Sequence, residues 1–243
     1  MCDTIPETRQ PLLVAQKLTK SFAVGSRTHV NAVAAVDLSV HQGQIAVIRG
    51  ASGSGKTTLL LMLAGMLAPS AGNVQWLGQD IYAQNVNARR RLRTADIGIV
   101  LPHFHLIPYI DVESNIALAL SSGQSPKNSL SILKQFGIES LASRFPSQLS
   151  SGEKRRVIVA RTMIRQPRLI LADEPTANLD PENADLVNAQ FAAYAQSGGS
   201  LLYVTHARTI TLQPDVEYQM SQGHLQPVEV RNVNSSQNAC QAE

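Results

Sequence analysis

The chain has 243 residues, long enough for one large domain with a full hydrophobic core. Apolar residues make up 44% and charged residues only 16%, the opposite of the balance that keeps a chain unfolded, so a disordered protein is excluded. A formal charge of +3 allows a surface facing phosphate or anionic lipid, but it is too small to mark a nucleic-acid binder.

The opening ten residues have no apolar run of the secretory kind. Pro11 to Phe22 and Thr28 to Val40 then read as strands, and Gln44 to Arg49 as a compact buried strand running into a glycine-rich turn. Lys56 to Leu67 reads as a helix that is apolar almost all round, hence deeply buried. Ile97 to Leu101, Leu169 to Ala172 and Leu201 to Thr205 are three further buried strands. Residues 103–152 differ: helical patterns over Asp111 to Leu120 and Leu130 to Phe136, with loops between, read as a helical insertion. The alternation predicts an α/β fold with a largely parallel sheet. We expect a single domain over 11–228, with a core from about 11–102 and 153–228, and a disordered tail over 229–243 that is rich in Asn, Gln and Ser. The longest apolar stretch, Leu59 to Ala68, is about half of the ~20 residues a membrane span needs, so the chain is not expected to cross a membrane by itself. Cys2 and Cys240 have neither metal-site nor disulfide-framework spacing, which fits a reducing compartment.

The chemistry begins with the run Gly50, Ala51, Ser52, Gly53, Ser54, Gly55, Lys56, Thr57 and Thr58, which matches G-x-x-x-x-G-K-[ST] between a strand and a helix. Its glycines let backbone N–H groups turn inward around phosphate, and the helix starting near Lys56 adds its positive end. Lys56 can reach the β- and γ-phosphates, and the Thr57 hydroxyl can ligate Mg²⁺. Further along, Leu169-Ile-Leu-Ala-Asp-Glu delivers acids at the end of a buried strand. Asp173 fits a metal-holding carboxylate, and Glu174, pointing another way along the strand, fits a general base for an attacking water.

With these residues in place, the chain resembles the ATP-binding subunits of ABC transporters from about Leu13 to Leu225. Leu149-Ser-Ser-Gly-Glu resembles the family's LSGGQ signature. Asp173-Glu-Pro-Thr-Ala-Asn-Leu-Asp resembles its Walker B motif and D-loop, and Val204-Thr-His its switch histidine, at His206. Arg91-Leu-Arg, Ile97-Gly-Ile-Val and Thr176-Ala-Asn-Leu-Asp are most similar to the lipoprotein-release and macrolide-export branch. The resemblance implies a P-loop NTPase with a RecA-like, mostly parallel sheet, an N-terminal antiparallel β part and an inserted helical subdomain. It implies ATP and Mg²⁺ as cofactors, Phe22 stacking on adenine, and Asp180 in the D-loop. It also implies a second ATP-binding subunit whose Ser150, Ser151, Gly152 and Glu153 close on the P-loop, a homodimer, and no nucleic acid. A transmembrane permease would hold the subunit on the inner face of the cell membrane. Ser150 before a helix supports this as a cap beside free N–H groups, a second phosphate-binding end.

Three departures stand out. Pro102 occupies the family's Q-loop glutamine position and offers neither an amide oxygen nor a donor, although His103 or His105 could replace it in part. Ser151 replaces a glycine and Glu153 a glutamine. The expectation is an ATPase that binds better than it hydrolyses. The alternative is a nucleotide-gated subunit with little or no hydrolysis. A soluble DNA-maintenance ATPase is a poor fit, because no heptads stand between Lys56 and Asp173 to form its coiled coil. The basic runs Arg89-Arg-Arg-Leu-Arg and Lys154-Arg-Arg read as solvated helix faces or contacts with the insertion.

Overall fold

The computed structural model describes residues 11–24, 28–103, 106–120, 127–207 and 209–228; the expectations for Cys2, Cys240, His105 and the tail lie outside them. Strands β1 (Pro11–Val24) and β2 (Thr28–His41) form a long antiparallel hairpin. Apolar side chains alternating along these strands turn one face inward, where Leu13, Leu18, Val33 and Val36 are buried.

Strand β3 (Ile45–Arg49) leads into helix α1 (Lys56–Leu63). The helix stops short of the expected Leu67 because Gly65 takes a left-handed φ of 65° and closes the last turn. Strands β4 (Ala71–Trp76) and β5 (Gln79–Asp80) then return to the first hairpin, giving an antiparallel sheet in the order β2-β1-β4-β5. Helix α2 (Val86–Ala95), capped by the Asn85 side chain, precedes β6 (Ile97–Val100).

Between β6 and the next strand lie α3 (Val112–Ala117), α4 (Lys127–Gln135) and α5 (Ser151–Met163). The remaining elements are β7 (Leu169–Asp173), α6 (Pro181–Gln196), β8 (Ser200–Thr205), β9 (Val216–Ser221) and β10 (His224–Val228). The second sheet has the order β10-β9-β3-β8-β7-β6, parallel throughout except for β10 at its edge.

Its strands β3, β8, β7 and β6 are buried on both faces, and their two-residue period sorts the side chains. Ala46, Ile48, Leu202 and Val204 face α1 and the antiparallel sheet, in one core. Val47, Tyr203 and Ile170 face α5, α6 and the α3–α4 segment, in the other. Sandwiched between two sheets, α1 buries Leu59, Leu60, Met62 and Leu63, which explains its lack of a polar face. Trimming any of these leucines to Ala would cost about 2–5 kcal/mol.

Candidate functional site

The parallel strands end together, so the segments after β3, β6, β7 and β8 meet at one edge of the sheet. This is the edge where open α/β sheets hold ligands. The β3 exit brings Gly50 to Gly55, the β6 exit Pro102, the β7 exit Asp173 and Glu174, and the β8 exit His206. Together they wall a cavity of about 380 Å³, lined by Ser52, Gly53, Gly55, Lys56, Thr57, Thr58, Pro102, Asp173, Glu174 and His206, with Ala32 from β2.

The loop before α1 is clamped by packing. A methyl group on Gly55, whose φ is 106°, would collide with the Ala32 carbonyl; one on Gly50 would collide with the Met220 carbonyl. The Gly223 N–H donates to the Ser54 carbonyl at 3.0 Å, while the Gly223 carbonyl accepts from Ala34 N–H at 2.9 Å. The β9–β10 turn therefore stitches this loop to β2. Gly55 caps α1 without any side-chain hydrogen bond, so the first-turn N–H groups keep their capacity to donate. Lys56 folds back, and its Nζ donates to the carbonyls of Gly50 and Ala51 at 2.8 Å each.

Thr57 Oγ1 donates to Asp173 Oδ2 at 2.5 Å. Burial pushes the Asp173 carboxyl upward, against the opposing hydrogen bond from Thr57. A hydroxyl beside a desolvated carboxylate is an oxygen pair that suits a hard divalent cation. No group of three or more His, Cys, Asp or Glu among the described residues could cage a metal, so a cation here would rely on few protein ligands, the habit of Mg²⁺ with phosphates.

Glu174 does not continue the strand, as the alternation argument assumed. It lies one residue beyond β7 with a φ of 50°, a left-handed conformation costing a non-glycine residue about 1–2 kcal/mol. The turn brings its carboxylate to β8: Oε1 accepts from His206 N at 2.8 Å and stands 2.6 Å from His206 Nδ1, and Oε2 accepts from Thr205 Oγ1 at 3.0 Å. Behind it, Thr176 Oγ1 and Tyr203 Oη are 2.7 Å apart, and burial pushes the Tyr203 phenol up to about 12.

Other expected site residues stand apart from this cavity. Phe22 is partly exposed on β1, with Lys20 Nζ 5.4 Å over its ring. His103 lines a different cleft, with Met66, Ile99, Leu101, Ile158 and Arg161. Asp180 caps α6, accepting from Asn183 N at 3.0 Å. Ser150 caps α5, its Oγ accepting from Glu153 N at 3.2 Å, while Glu153 Oε2 accepts from Ser150 N at 2.7 Å. Glu153 thus completes a reciprocal capping box, more than the dipole match read from the sequence, and this hydrogen bond holds its carboxyl below the usual range.

Arg155 is the residue the sequence reading missed. Expected on a solvated face or in contact with the 103–152 insertion, it is 2% exposed and donates instead to the carbonyls of Leu101 at 2.8 Å and Pro102 at 3.0 Å. No spacing rule marks it; α5 lies against β6, so a position one turn into the helix faces inward.

Comparisons with known proteins agree with this arrangement. Residues 33–177 match the family model described as "ABC transporter". A lipoprotein-releasing system ATP-binding protein LolD from Shewanella frigidimarina is 35% identical over 228 residues, covering 91% of this chain and 95% of that protein. Another LolD, from Shewanella sp. (strain MR-4), is 34% identical over 223 residues, with 89% and 96% covered. Among solved structures, the dimeric post-hydrolysis state of the ATP-binding cassette MJ0796 bound to ADP and Pi superposes with a TM-score of 0.82 at 25% identity, covering 90% of this chain and 99% of that one. A second dimeric structure of MJ0796, a bacterial ABC transporter cassette, gives 0.81 at 26% identity, covering 90% and 99%. With the loop, the acids and the histidine gathered at one sheet edge, and with these likenesses spanning nearly its whole length, the chain belongs to the ABC transporter ATP-binding family.

Proposed function

We propose that this subunit hydrolyses ATP with Mg²⁺ to drive a separate transmembrane permease, as a homodimer on the inner face of the cell membrane. The observation that supports it most is the convergence of the phosphate-cradling loop, Asp173, Glu174 and His206 on one cavity. That no described helix is long and apolar enough to cross a membrane fits a separate permease.

In this reading the amides of Gly53 to Thr58 cradle the phosphates, and Phe22 stacks on the adenine. Lys56 exchanges its two loop carbonyls for phosphate oxygens. Thr57 and Asp173 would hold Mg²⁺, which when bound neutralises charge on the β- and γ-phosphates. Glu174 takes a proton from the attacking water as the oxygen–phosphorus bond forms and the bond to the β-phosphate oxygen breaks. His206 holds that carboxylate in place. Ser150, Ser151, Gly152 and Glu153 of one copy, with Asp180, complete the site of the other; that the MJ0796 cassettes were solved as dimers supports a second copy.

Pro102 is the sole ground for a non-hydrolysing subunit, and with Glu174, His206 and Lys56 in place that alternative is not favoured. Steady-state phosphate release tests the choice. Wild type should exceed Glu174→Gln by at least about 10²-fold, and Pro102→Gln should be faster than wild type. Equal rates for wild type and Glu174→Gln would refute hydrolysis.

A further inference from the structure

We infer that Arg155 is a positioning residue for hydrolysis, tying the helix that begins at Ser151 to the Leu101–Pro102 wall of the nucleotide cavity. The inference rests on the hydrolytic reading above and adds a residue that the motifs do not contain.

Its geometry is that of a clamp. The last β6–β7 pairing joins Val100 to Ala172, so the carbonyls of Leu101 and Pro102 lie just beyond the sheet ladder. Arg155 reaches them from α5 with two different nitrogens, Nη1 and Nη2. The planar fork of a guanidinium suits two neighbouring acceptors in a way that a single ammonium does not.

Filling space alone does not account for an arginine here. Burying a cation is unfavourable, and an unbranched apolar side chain such as methionine would occupy similar volume without that cost. Burial indeed disfavours the charged guanidinium, while the nearby carboxylates of Asp173 and Glu174 favour it. The charge is held where two carbonyls and two site acids use it. Removing it would leave the carbonyls orphaned beside the cavity.

Pro102 makes the tether consequential. Its side chain cannot hydrogen-bond to ligand or water, so its contribution to the cavity is the shape of its wall. The clamp fixes that shape and links it rigidly to the Ser150–Glu153 end of α5. Displacement of that end is transmitted to the wall beside Glu174.

The test combines hydrogen exchange with kinetics on the full-length protein. In Arg155→Met, the peptide covering Ile99–His103 should exchange about ten times faster without nucleotide. The kcat for ATP should fall roughly ten- to a hundredfold, with KM within about twofold of wild type. Arg155→Lys, which keeps one donor and the charge, should recover a good part of both. It also serves if the methionine variant folds poorly, as its melting temperature would reveal. Unchanged exchange in both variants would overturn the tether. Faster exchange with unchanged kcat would overturn the positioning role. A proportional rise in KM, unrescued by lysine, would show a merely structural part. If wild type itself matches Glu174→Gln, the hydrolytic reading fails and the kinetic role with it, while exchange still decides the tether.

Discussion

Two helix N-termini in this molecule are built in opposite ways. At α1 the cap is a glycine with no side-chain hydrogen bond, packed from outside against the carbonyl of Ala32 and the side chain of Met220. At α5 the cap is supplied from within, by Ser150 and Glu153 exchanging hydrogen bonds. The first leaves its amides uncommitted and relies on tertiary packing to hold a shape that is strained without it. The second is locally satisfied, with Ser150 and Ser151 exposed and Gly152 and Glu153 half-buried, so its form owes little to neighbours. The phosphate loop is thus shaped by the core beneath it, whereas the α5 end carries its own support, as suits the docking on a second copy proposed above.

This contrast is easiest to break at Gly55. Gly55→Ala adds a methyl where the Ala32 carbonyl stands, at a φ that alanine rarely adopts. We expect a stability loss of about 2–4 kcal/mol in urea denaturation and at least about a 100-fold loss of ATP affinity. Near-normal binding would show that the loop is not held by packing. Lys56→Ala leaves the backbone intact and should weaken ATP by at least about tenfold, or 1.4 kcal/mol, in titration calorimetry. Unchanged affinity there would remove the lysine from the site.

The α5 end should answer differently. Ser150→Ala should cost about 1 kcal/mol of stability and leave ATP affinity of the monomer unchanged. In a Glu174→Gln background it should weaken ATP-driven dimerisation, read by size-exclusion chromatography with light scattering. A dimer as strong as with Ser150 present would detach this end from the second site. The smallest effect concerns Glu153, whose carboxyl is held below the usual glutamate value of about 4.3 by the Ser150 N–H. A depressed folded value means the stabilisation is present above that pH and disappears as pH falls through the folded value. Wild type should therefore melt roughly 1–3 °C above Glu153→Gln at pH 7, with the gap closing as the carboxylate is protonated in acid, below the usual glutamate range. A gap that persists in acid would exclude the carboxylate as its source.

Much of this was legible in the sequence, because the buried parallel strands are continuous apolar runs and the phosphate loop has a fixed spacing. Other parts follow from tertiary packing and carry weaker local signals. Strand β9 is half-exposed, with only Met220 fully buried, and β10 is an edge, so neither has the apolar density of β3 or β7. Helix α2 buries no residue, and its arginines read as solvent-facing or as touching the insertion; yet Arg89 lies over Tyr82 at 5.5 Å, and Arg93 donates to the Gly65 carbonyl. The turn at Glu174 could not be read at all, since a left-handed glutamate looks like the last residue of a strand until the β8 partner that captures its carboxylate is known.

The stitch at Gly223 has a consequence for how the protein comes into being. The loop that cradles phosphate occupies the first quarter of the chain, but the carbonyl of Met220 and the amide of Gly223 that hold it are supplied by almost the last described residues. During synthesis β3 emerges early and waits with both edges open until β8 and then β9 arrive beside it. A cradle held in this way is expected to take shape only once the β9–β10 turn is in place, so a chain cut before Met220 should fail to bind nucleotide.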